Sequence, residues 1–141
     1  MRSSIISRTT TALLLGMALT LTVRAADAAE STPIPATSAE IWRAIDSHVQ
    51  ELRAAVAKGT LTNVHVDAFA IRDLTRGLPT HSQGLPETAL TKVKEQSKFV
   101  DTLAARLDQT GDANDKAGTE SNLSKLEGVL KTIRAEYTSS K

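Results

Sequence analysis

The chain has 141 residues, with 17 Lys+Arg against 16 Asp+Glu, 40% apolar and 3% aromatic content. That length fits one domain, and the composition excludes collagen-like, mucin-like and strongly disordered classes. Cysteine is absent, which excludes disulfides, thiolate nucleophiles, thiolate metal ligands and c-type haem attachment.

Residues 1–28 read as a secretory signal peptide. Arg2 and Arg8 open it, and Ala12 to Val23 is an uncharged, mostly apolar run. Ala26-Asp27-Ala28 then matches the small-x-small cleavage pattern, with Val23-Arg24-Ala25 as a second candidate. Spanning a bilayer takes about 20 apolar residues, and this run has 12 before Arg24. The expectation is therefore cleavage and a periplasmic or secreted product starting at Ala29 or Ala26. Cleavage before Ala29 removes Arg2, Arg8, Arg24 and Asp27, leaving 14 basic and 15 acidic residues, net −1. A near-neutral chain of mixed sign offers no electrostatic case for nucleic acid. No second long apolar run follows, so no membrane span is expected after cleavage.

Residues 29–37 read as an extended leader, because Pro33 and Pro35 disfavour a helix before them. Residues 38–141 then carry four helical patterns. The first runs over about Ser38–Lys58. Thr37-Ser38-Ala39-Glu40 is a capping box, Ile41, Ile45, Val49, Leu52 and Val56 recur at helical spacing, and Gly59 is the stop. The second runs over about Leu61–Gly77 on the stripe Leu61, Val64, Ala68, Ile71, Leu74 and Leu78, and Pro79 ends it. The third starts at Pro86, a residue suited to a first helical position, and reaches about Gln109, with Gly111 as its terminator. Its stripe is Leu90, Val93, Ser97, Val100, Ala104 and Leu107, widened by Phe99 and Leu103. The fourth runs over about Ala113–Tyr137, with Asp112 as its expected N-cap. Its stripe is Thr119, Leu123, Leu126, Leu130, Ile133 and Tyr137, Glu127 and Lys131 form a polar-side pair, and Gly118 and Gly128 weaken it. Short connections favour antiparallel neighbours. The expected fold is all-α, an up-down-up-down antiparallel four-helix bundle, and at about 113 residues it would bury about two-thirds of its unfolded surface.

Three histidines follow the signal. His48, His65 and His81 are the candidate metal ligands. Geometry argues against a site shared among them. His48 falls in the apolar sector of the first helix, and His65 lies about 100° from the centre of the second stripe. Across the first hairpin they differ by about 7 Å in axial level, and His81 belongs to the opposite end. Asp112, Asn114 and Lys116 do not make a calcium loop: Lys116, Ala117 and Leu123 stand where an acid or amide, Gly and Glu are needed. No Gly-x-Ser-x-Gly, phosphate-binding loop or His-Glu-x-x-His occurs. No catalytic residue and no cofactor are therefore assigned.

One surface stripe stands out. His65, Phe69, Arg72 and Arg76 recur at steps of four, three and four on the second helix. An aromatic between cationic side chains suits an acidic ligand, a protein partner or a second copy of the chain. The same pattern also arises where Phe69 widens the core edge and the arginine stems cover it.

The signal peptide, the bundle length and the terminal segment Leu130-Lys131-Thr132-Ile133-Arg134-Ala135-Glu136-Tyr137 resemble the small periplasmic four-helix bundles of the soluble b-type cytochrome and cytochrome c′ kind. The resemblance spans Ser38 to Lys141 and implies their fold. It does not carry haem. Both methionines, Met1 and Met17, lie in the signal, the fourth helix has no His, and no Cys exists. The chain is also similar to exported helical proteins associated with heavy-metal efflux systems. The expected function is a non-enzymatic exported binding or accessory bundle, in envelope stress or metal tolerance. The alternatives are an interaction or dimerising module using the second helix, and a metal or cofactor carrier using His48 or His65.

Overall fold

A computed structural model describes residues 32–138. The expected signal peptide and both cleavage sites lie outside the described residues. Four helices make up the fold: α1 (Ser38–Lys58), α2 (Val64–Gly77), α3 (Glu87–Asp112) and α4 (Lys116–Thr138), with a short 3₁₀ turn at Leu78–His81. The described residues contain no strand. No helix among them is long and apolar enough to cross a membrane.

Both ends of α1 are set locally. The Glu40 amide donates to Thr37 Oγ1 at 3.2 Å, and the Thr37 amide donates back to Glu40 Oε2 at 3.2 Å. At the other end Gly59 takes φ +72°, the left-handed region where a Cβ is penalised. The Thr60 amide then reaches Ala55 O, and the Gly59 amide reaches Val56 O, closing the last carbonyls. The buried face is Ile41, Trp42, Ile45, Val49, Leu52 and Val56.

The later boundaries shift from the expected ones for identifiable reasons. Leu61 is buried, but α2 begins at Val64: Leu61 packs from a turn that ends in the Val64 amide donating to Leu61 O. Burial at helical spacing therefore overstated the helix. Helix α3 continues to Asp112, past the expected end at Gln109, and Gly111 lies inside it, buried. A Cβ at Gly111 would stand 3.0 Å from Leu61 O and 3.3 Å from Val64 Cβ. Glycine is there because α3 closes on the start of α2, not because the helix stops. The stop is Asn114, at φ 52°, with the Asp115 amide on Thr110 O and the Asn114 amide on Gly111 O. Consequently Asp115, not Asp112, caps α4, accepting the Gly118 amide at 2.9 Å. Phe99, expected on the core stripe of α3, is 56% exposed.

Each helix packs against the next in sequence, and α1 also touches α4. Leu52, Ile71, Leu74, Val93, Leu107, Leu126 and Ile133 are among the fully buried side chains of one continuous core. Between α1 and α4, Trp42 meets Tyr137, Asp46 pairs with Arg134 at 2.6 Å, and Arg53 pairs with Glu127 at 2.7 Å. Glu127 thus faces a neighbouring helix rather than Lys131. Between α3 and α4, Lys92 pairs with Glu136 and Thr119 donates to Thr110.

The two glycines of α4 have opposite meanings. A Cβ at Gly118 would overlap the carboxylate of its own cap, Asp115, and stand 3.0 Å from a Thr110 methyl. A Cβ at Gly128 meets nothing within 4 Å. Gly128→Ala is therefore expected to stabilise the fold by up to about 1 kcal/mol. Gly118→Ala is expected to destabilise it by about 1 kcal/mol or more, through loss of the cap. Urea denaturation of the two variants checks the difference in sign.

Candidate functional site

The first turn of α2 distributes two chemistries to its two sides. His65 and Asp67 are two residues apart, about 200° around a helix. One side chain is thereby directed toward α3 and the other toward α1.

On the α1 side, His48 Nδ1 lies 2.8 Å from Asp67 Oδ1. A carboxylate only accepts, so Nδ1 is the donor of this contact. Asp67 and His48 are both half-buried. Glu51, one turn after His48, completes a group whose ligand-type atoms all lie within 4.8 Å of one another. Beside it an open groove of about 410 Å³ runs along the α1–α2 corner, lined by Glu51, Lys58, Thr60, Asn63 and Asp67 among others.

On the α3 side, His65 meets Asp108 and Asp112, again with one ligand atom from each within 4.8 Å of the others. His65 and Asp108 are half-buried and Asp112 is exposed. The approach of backbones at Gly111 positions this group. Residues 108, 111 and 112 share one face of α3, and a Cβ at Gly111 would stand 3.3 Å from Cβ of Val64, the neighbour of His65.

His48 and His65 therefore belong to separate groups, and His81 joins neither. His81 lies in the 3₁₀ turn and donates from Nδ1 to Ala36 O at 3.0 Å, holding the leader. The same leader lays Ile34 against Gly77, where a Cβ would stand 2.7 Å from Ile34 Cγ2. The carboxylate members of both groups escaped sequence reading, although same-face pairs were present in His48/Glu51 at i,i+3 and Asp108/Asp112 at i,i+4.

The surface stripe of α2 is engaged within the fold. Phe69 is partly buried and packs against the core. Arg72 lies 4.5 Å above its ring and bonds Asp73 at 2.8 Å. Arg76 donates to Asp101 Oδ1 at 2.9 Å, and that hydrogen bond raises its proton affinity above the ordinary arginine value. Of the four residues, only His65 turns to a group of unpaired side chains. Comparison with protein-family models, curated proteins and solved structures found no match to this chain.

Proposed function

We propose that this chain is a non-enzymatic exported binding or accessory protein, an up-down-up-down antiparallel bundle acting in envelope stress or metal tolerance. The order of interhelical pairs supports the topology. Along α1 the residues 42, 46 and 53 meet 137, 134 and 127 of α4 in descending order. Along α3, Lys92 and Thr110 meet Glu136 and Thr119 in the same reversed sense.

The observation that carries the binding reading is the open α1–α2 groove beside the His48–Asp67 pair. Its wall combines one cation, two carboxylates, hydroxyls and an amide, a set suited to holding a small polar or cationic ligand by directed contacts. The test is export and ligand-dependent stability. Fractionation should yield a periplasmic or secreted chain beginning at Ala29 or Ala26. A thermal-shift screen of divalent cations and small polar solutes should raise its Tm by several degrees with at least one class, since a ligand at 100 times its Kd adds about 2.7 kcal/mol. An uncleaved, membrane-retained chain would overturn the export reading. A Tm indifferent to every class screened would overturn the binding one.

A further inference from the structure

We propose that His65, Asp108 and Asp112 bind one divalent transition-metal ion that bridges α2 to the end of α3. The inference goes beyond the groove reading and names its ligand as a metal ion. It places that ion on the α3 side of α2, away from the groove.

Three features carry it. First, the geometry is that of a coordination shell. Because the three ligand atoms lie within 4.8 Å of one another, a point exists within about 2.8 Å of all of them, and small rotamer changes close this to the ~2.0–2.2 Å of transition-metal bonds to nitrogen and oxygen. Second, the three groups are not committed to protein partners. Among the described residues, none of the three side chains makes a hydrogen bond or an ion pair, whereas His48 and Asp67 in the other group already bond each other at 2.8 Å. An imidazole and two carboxylates thus converge without bonding. Third, the charges are at the wrong end of a helix. Asp108 and Asp112 stand one turn apart at the C-terminal end of α3, where the helix dipole disfavours anions, and its last turn has no basic residue. A bound cation offsets both the dipole and the mutual repulsion.

The ligand set selects the ion class. One imidazole nitrogen with two carboxylate oxygens and no sulfur suits Zn²⁺, Co²⁺, Ni²⁺ or Mn²⁺, with water at the remaining positions. All-oxygen coordination, as Ca²⁺ prefers, would leave His65 without a role.

Calorimetric titration of the exported, chelator-stripped chain with Zn²⁺ and Co²⁺ tests this. One ion per chain is expected at this site. Asp108→Asn and Asp112→Asn should each weaken binding at least tenfold, and His65→Ala should change the visible Co²⁺ spectrum through loss of a nitrogen ligand. Asp67→Asn should leave binding at the site unchanged. Without metal, Asp112→Asn should melt a few degrees above the parent chain, because an anion is removed from the helix end; with Zn²⁺ the order should reverse. Several results would overturn the proposal: no binding of either ion at millimolar concentration, binding untouched by Asp108→Asn and Asp112→Asn together, or Ca²⁺ binding as tightly as Zn²⁺. Metal binding lost in Asp67→Asn and retained in Asp112→Asn would move the ion to the groove, sinking this site while leaving the binding reading intact. If no metal binds but another solute class shifts the Tm, the site fails and the binding reading stands.

Discussion

Leu126→Asp is expected to leave the chain unfolded at room temperature, while Lys131→Asp in the same helix melts within a few degrees of the parent. Leu126 has no exposed surface and sits in the continuous core. The substitution removes a buried side chain worth about 2–3 kcal/mol of transfer free energy. It also places a carboxylate where no cation or donor is available, a further cost of several kcal/mol whether it stays charged or takes up a proton. A domain of this size has about 5–15 kcal/mol in total, and with no cysteine no disulfide restrains the unfolded chain. Leu126→Ala should fall between, at about 2–5 kcal/mol. Lys131 is exposed, and Glu127, its expected partner, bonds Arg53 instead. Its loss should stay within about 0.5 kcal/mol. Circular dichroism melts of the three variants decide the matter. A cooperative transition of Leu126→Asp near the parental Tm would mean that this face of α4 is not in the core.

How much of this was legible in the sequence depends on the range of the signal. Helix α1 was readable at both ends because its cap and stop use residues adjacent to them, Thr37 with Glu40 and Gly59 with Thr60. The joints of α2, α3 and α4 were not, because Gly111 and Leu61 owe their roles to distant neighbours and Gly118 to a cap whose position depends on where α3 stops. Gly111 looks like a terminator by type, but its use is the close approach to Leu61 and Val64. Gly118 looks like a weak helical residue, yet it clears space for Asp115. Asn114, a less emphatic residue, does the stopping. Phe99 and Leu103 share a helix face at i,i+4 and both widen the stripe by residue type, but only Leu103 is buried. The candidate sites divide the same way. The histidines were visible as residue types, but which carboxylates join them depends on the register between helices. His48 finds Asp67 across 19 residues, and His65 finds Asp108 and Asp112 only because Gly111 lets two helices close.

Trp42 lies outside the apolar periodicity, being a single large residue beside Ile41, and it joins the start of α1 to the end of α4. Only 9% of it is exposed. Its ring meets Tyr137 edge-on at 5.7 Å, and the Arg134 guanidinium lies 4.3 Å from its centroid. Trp42→Ala is expected to cost about 3–5 kcal/mol, a fall in Tm of about 15 °C or more on this size scale. Trp42→Phe should cost about 1 kcal/mol or less. It keeps an aromatic ring against Tyr137 and Arg134, and it removes a buried indole N–H that has no hydrogen-bond partner, whose desolvation costs about 1–3 kcal/mol. Tyr137 adds a pH signature. Its hydroxyl lies 2.6 Å from Ser82 Oγ, and burial pushes the phenol above its usual range. Below about pH 10 the phenol is neutral in both folded and unfolded chains. As pH rises further the unfolded chain ionises first, so stability falls there. Tyr137→Phe should lose the Ser82 contact at neutral pH and show a shallower alkaline decline than the parent. Urea midpoints measured from pH 8 to 11 provide both comparisons. Equal losses in Trp42→Ala and Trp42→Phe would assign the stabilisation to the indole nitrogen, and an alkaline decline unchanged in Tyr137→Phe would assign it to other groups.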